Sequence, residues 1–178
     1  PTGRWKGRIR PGMGPKELDI AQHATMLEGD NEFDGAAERW QALADITADD
    51  HREAISSWAP LRTAVALAKA GRHDHCLRTL DVGANTLTDE RQRASYWEQA
   101  GESLLESGRT AAAEEAFRSA IEILDEASPS SSALAHALLQ LCRTDFRSCD
   151  SEATRALEIY QQPNDRTIEL AAALNTVG

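Results

Sequence analysis

Cysteine is scarce and unpaired in this chain: Cys76, Cys142 and Cys149 form an odd set without the spacing of a metal site. Such thiols suit a reducing, cytoplasmic compartment and read as buried or incidental. No apolar run is long enough to cross a bilayer. Residues 1–19 contain no apolar stretch of the kind that marks a signal peptide. Convincing strands are absent, and with them any glycine-rich phosphate loop following a strand. No motif places a Ser, a His and an Asp for nucleophilic chemistry. The numerous carboxylate pairs read as the solvated face of acidic helices. The expectation is a chain without catalysis, cofactor or membrane contact.

One cluster resembles a metal site. His73, Asp74, His75 and Cys76 offer the nitrogen and sulfur donors that zinc takes. The two histidines are two residues apart, however, so on a helix they diverge. The run reads instead as a turn followed by a small buried cysteine, and no metal is expected.

Lysine is also scarce, and charge is unevenly placed. The first sixteen residues carry Arg4, Lys6, Arg8, Arg10 and Lys16, and the first acid is Glu17. This segment is therefore +5, which leaves −15 for the rest of a chain whose net charge is −10. Such asymmetry implies a tail with its own partner or an interdomain linker. The acidic body would repel nucleic acid, whose phosphates need cations. With its glycines and prolines, and Trp5 among the cations, segment 1–16 reads as a basic extended arm ahead of a helical domain at 17–178.

Within that domain one stretch stands out. Trp97, Gly101, Leu104 and Leu105 share one helical face, and Gly108 suits a left-handed turn. Ala113, Ala116, Phe117, Ala120, Ile121 and Leu124 form a second stripe, with Thr110 as its expected cap. Two such stripes with small residues between them describe a hairpin of helices. The order Trp97, Ala100, Gly101, Leu104, Gly108, Ala113, Phe117, Ala120 resembles the tetratricopeptide repeat (TPR).

Three weaker copies follow the same pattern. The first runs over 17–46, with Ala24, Asn31 at the turn, Ala36 and Trp40, and with Asp34 as the expected cap. The second spans 47–88. Its first helix is expected from about residue 51, capped by Asp49 or Asp50, and Pro60 predicts a kink or break near 57–60. Gly71 closes that helix, and Cys76 sits where Ala113 sits. The last copy, 130–161, has a longer loop at 144–150 and Ser151 as its expected cap; a final helix is expected at 165–176. Equivalent starts fall at Glu17, Ser57, Ala94 and Ser131, spaced 40, 37 and 37 residues apart. The usual TPR period is about 34, so these repeats are longer by roughly one helical turn. Longer repeats of this sort are similar to those of kinesin light chains and of bacterial regulators and signalling ATPases.

The resemblance implies an all-α, right-handed α-solenoid of about four helical hairpins plus a C-terminal helix. It further implies a concave groove lined by the first helix of each pair. Carried over by alignment, the groove residues are Ala21, Thr25 and Glu28, then Leu61, Val65, Ala68 and Lys69. Glu98, Glu102, Leu105 and Glu106 continue the line, followed by Ala135, Leu139 and Cys142. An apolar strip with acidic edges suits a protein or peptide with apolar anchors and basic residues. Places that carry Lys, Asn and Arg in TPR proteins holding chaperone tails carry Ala21, Thr25, Leu61, Val65 and Lys69 here, so an acidic tail is not the expected partner. The function implied is a scaffold or adaptor in protein–protein recognition. Two alternatives stand beside it. One is a regulatory or sensor segment of a larger ATPase or transcription regulator. The other is self-association, with the arm (Arg4, Trp5, Lys6, Arg8, Arg10) in an acidic groove of its own chain or of another copy.

Overall fold

The structure, a computed structural model, describes residues 13–48, 58–145 and 149–161. Among the described residues there are eight helices and no strand. They fall into two compact units, residues 1–86 and 87–178. Unit 1 holds α1 (Pro15–Gly29), α2 (Phe33–Ala48), α3 (Trp58–Lys69) and α4 (His73–Asn85). Unit 2 holds α5 (Glu90–Glu106), α6 (Thr110–Ala127), α7 (Ser132–Cys142) and α8 (Asp150–Tyr160). Within each unit every helix packs on the next in sequence. The basic arm up to residue 12, the helix start expected near 51 and the final helix expected at 165–176 lie outside the described residues.

Three hairpins turn in the same way. Asn31, Gly71 and Gly108 have φ of 64°, 81° and 73°. Around each, two backbone bonds close the preceding helix. Glu32 N–H donates to Leu27 C=O at 2.8 Å, Arg72 to Leu67 at 2.9 Å and Arg109 to Leu104 at 2.9 Å. The left-handed residue itself donates to Glu28, Ala68 and Leu105 respectively. This is the Schellman closure, which satisfies carbonyls that the helix end would otherwise leave open.

The same turn explains why two expected caps fall elsewhere. Glu32, Arg72 and Arg109 end one helix and at once accept the first bond of the next, from Ala36, Cys76 and Ala113. No residue is left over to serve as a separate side-chain cap. Thr110 is therefore the first residue of α6 behind Arg109, and Asp34 lies inside the first turn of α2. Ser151 likewise lies within α8, behind Cys149, and its hydroxyl donates to Glu152. Side-chain caps occur instead ahead of hairpins. Asp89 accepts from Gln92 N–H at 2.9 Å, Ser131 accepts from Leu134 N–H at 3.2 Å, and Glu17 accepts from Gly14 N–H at 2.7 Å. Pro60 lies within α3, while residues 49–57, which precede this helix, lie outside the described residues.

The cores follow the expected stripes. Trp97, Ala100, Leu104, Ala113, Phe117 and Ala120 are buried in unit 2. In unit 1 so are Ala24, Ala36, Trp40 and Leu43, with the rings of Trp40 and Trp58 edge to face at 5.1 Å. Ala36, Cys76 and Ala113, at one repeat position, are all fully enclosed. Small residues there let the two helices of a hairpin approach. The approach at Gly101 is tight: a Cβ built on it would lie 2.5 Å from the Phe117 ring.

Candidate interaction surface

The first helices of successive hairpins meet through side chains in both units. In unit 1, Arg62 on α3 reaches back to Glu28 on α1, with guanidinium–carboxylate distances of 2.6 and 2.8 Å. Trp40 Nε1–H donates to the same carboxylate at 2.7 Å, and the guanidinium lies 5.1 Å from the Trp40 ring centroid. Both charged side chains are nearly enclosed, at 13% and 12% exposure. Glu28, placed in the groove by alignment, is thus committed to an internal ion pair that joins the hairpins. Leu61 and Val65 are buried, at 8% and 3% exposure, as are Ala21 and Ala68. Thr25 is half-buried and donates to Ala21 C=O at 2.8 Å. Lys69 Nζ lies 5.7 Å from the Phe33 ring.

Unit 2 also joins its two first helices by a side-chain contact, to a glutamate at a different repeat position and with different chemistry. His136 on α7 stands at nearly the same distance into its repeat as Arg62. Its Nδ1 lies 3.3 Å from Glu98 Oε1 on α5. His136 Nε2 is 3.0 Å from Gln140 Nε2, and Arg143 donates to Gln140 Oε1. Glu98, Glu102 and Leu105 recur at helical spacing along one face of α5, as His136, Leu139, Gln140 and Arg143 do along α7. The Glu98–His136 contact sets these faces side by side. Glu98, Glu102, Leu105 and Leu139 are half-buried, and Glu106 is exposed. Ala135 and Cys142 are buried and present no surface.

The hydrogen bond to Glu98 raises the His136 pKa above its ordinary value; burial opposes the shift, and the charges of Glu98 and Glu102 add to it. Arg62 and His136 are absent from the groove positions assigned by alignment. Their signal in the sequence is a similar offset, five residues after the repeat starts at Ser57 and Ser131.

The cysteines offer no exposed nucleophile. Cys76, Cys142 and Cys149 are all buried. Burial first, and then the hydrogen bond with Cys149, pushes the Cys142 thiol up to about 12, so it stays protonated near neutrality. Two open clefts elsewhere are lined by residues engaged in ion pairs. One, of about 420 Å³ in unit 1, is lined by Arg72 and Asp34, which pair at 2.7 Å. The other, of about 360 Å³ in unit 2, is lined by Arg155, which pairs with Asp125. Among the described residues no helix is long and apolar enough to cross a membrane.

Comparison with known proteins agrees with this architecture. Residues 17–144 match the family described as the Tetratricopeptide repeat-like domain. No curated protein matches the chain. Among solved structures, a single-substitution form of a Podosopora anserina kinesin light chain-like protein with nearly identical TPR-like repeats is 16% identical. The alignment covers 92% of this chain and 87% of that one, with a TM-score of 0.50. BtubC (BKLC) from P. vanneervenii is 15% identical over 90% of this chain and 72% of its own, also with a TM-score of 0.50. At these identities the likeness is one of fold, the TPR-like helical repeat, which is typical of protein–protein interaction modules and generally non-catalytic. The family match extends over most of the chain and takes in all three Schellman-closed hairpins, so this chain belongs to the tetratricopeptide repeat-like family.

Proposed function

We propose that this chain is an interaction scaffold, working in the cytoplasm, whose α5/α7 face holds a peptide or helix bearing basic residues and apolar anchors. One observation carries the reading: the Glu98–His136 contact aligns Glu98, Glu102 and Leu105 with Leu139 as one surface. Carboxylates on this face are available in a way that Glu28 is not, because Glu28 already holds Arg62 and Trp40. A cationic partner gains two attractive contacts at Glu98 and Glu102, while Leu105 and Leu139 supply apolar area.

Charge reversal tests the idea. Each exposed ion pair contributes about 0.2–1 kcal/mol, so replacing two attractions by two repulsions should remove about 1.5 kcal/mol, roughly a tenfold loss in affinity. Proteins retained by the immobilised wild-type chain should be lost from Glu98→Arg/Glu102→Arg while circular dichroism is unchanged. An identical set of retained proteins from the two chains would refute this surface.

A further inference from the structure

We propose that the basic arm, Arg4–Arg10, of one copy of the chain is a ligand of the α5 face of a second copy. The inference rests on reading α5/α7 as a peptide-binding surface, and it names the occupant. Three observations support it. The first is the charge segregation: no acid precedes Glu17, and every acidic side chain lies after the arm.

The second is spacing. Arg4, Lys6, Arg8 and Arg10 alternate with Trp5, Gly7 and Ile9. An extended chain sends alternate side chains to opposite sides and advances about 3.3 Å per residue, so successive cations stand roughly 6.6 Å apart on one side. Glu98, Glu102 and Glu106 recur every fourth residue on α5, a rise of about 6 Å per step. Three cations thus stay in step with three carboxylates, with a mismatch of only about 1 Å accumulated over the ladder.

The third is selectivity between units. In unit 1 the one carboxylate among the groove positions assigned by alignment, Glu28, is neutralised by Arg62. In unit 2, Glu98 meets only a histidine, whose charge depends on pH, and Glu102 has no ion-pair partner among the described residues.

The scarcity of lysine makes the test specific, because Lys6, Lys16 and Lys69 are the only lysines. Carbodiimide coupling of the full chain joins a lysine amine to a carboxylate in contact with it, and mass spectrometry locates the link. We expect Lys6 to couple to Glu98, Glu102 or Glu106. The yield should fall at least fivefold in Arg8→Glu/Arg10→Glu and in about 0.5 M salt, where the Debye length is roughly 4 Å. Mixing isotope-labelled with unlabelled chains shows which molecule supplies the arm: links between labelled and unlabelled chains support the proposal, and links confined to one molecule overturn it. A peptide with the arm's composition in scrambled order serves as the control. If that peptide couples to these glutamates and Lys6 does not, the arm is not the occupant, although the surface remains a site for cationic peptides. If neither couples there, both the proposal and the surface reading are overturned.

Discussion

Replacing Gly101 by alanine should loosen unit 2, although alanine is the better helix former. The new Cβ would lie 2.5, 2.7 and 2.7 Å from three atoms of the Phe117 ring. That ring is fully buried and lies among Ala113 and Ala120, also fully buried, so it has little room to turn aside. Restoring ordinary contact requires a shift of about 1 Å between α5 and α6, and overpacking of this kind costs about 1–3 kcal/mol. Three simultaneous clashes put the cost in the upper half of that range, while the gain in helix propensity returns about 1 kcal/mol. The net expectation is a loss of about 1–2 kcal/mol, or a fall in Tm of about 2–8 °C for a chain of this length. Thermal melting followed by circular dichroism measures it. Phe117→Leu in the Gly101→Ala background should recover part of the loss, giving a coupling energy of about 1 kcal/mol in a double-mutant cycle. An unchanged or raised Tm for Gly101→Ala, or strict additivity in the cycle, would refute the close approach of α5 and α6 at this point.

Three further outcomes follow from the same packing. Arg62→Met leaves the Glu28 carboxylate nearly enclosed without its cation; chemical denaturation should show a loss of about 2–3 kcal/mol, just below the range for fully buried pairs. Gly71→Ala and Gly108→Ala meet no steric contact, so their cost is that of an L residue at positive φ. This is about 1 kcal/mol each after the gain from restricting the unfolded chain, whereas Asn31→Gly should be near neutral. His136 should titrate above its ordinary value by NMR, and Glu98→Gln should bring it down. Because the folded-state value is raised, the stabilising contact is complete below the unfolded value of about 6.5 and is lost as pH rises through the folded one. The stability gap between wild type and Glu98→Gln should therefore be wider at pH 6 than at pH 8.

The sequence exposes the hairpins because their requirements are local. A residue that tolerates positive φ, a small residue opposite a ring and a stripe every three or four positions are all written within about thirty residues, as in 94–126. Caps are less legible. Whether Thr110 or Arg109 starts α6 depends on how the Schellman turn shares its last residue with the next helix, and composition does not carry that geometry. Pro60 predicts an interruption near 57–60, and the residues before Trp58 on which that expectation turns lie outside the described ones. The surface is the least legible part. Alignment assigns a position to a helix face, but exposure depends on what lies opposite. Leu61 and Val65 share repeat positions with Glu98 and Glu102, yet the first two are buried and the others half-buried.

The shared position of Arg62 and His136 shows how one repeat can yield two kinds of surface. In each unit this residue reaches from the first helix of one hairpin to a glutamate on the first helix of the hairpin before it. Where it is arginine, always charged and with a planar fork, the carboxylate is bound by two nitrogen–oxygen contacts and a stacked tryptophan, and its charge is cancelled internally. Where it is histidine, the bond is single and longer and the cancelling charge is conditional on protonation, so the carboxylate keeps charge for an outside partner. His136→Arg should then convert unit 2 toward the chemistry of unit 1. It should stabilise the α5–α7 contact and make it insensitive to pH between 6 and 8, while lowering the yield of Lys6 coupling to Glu98 severalfold. A coupling yield unaffected by that substitution would mean that the charge of Glu98 does not govern what this face attracts.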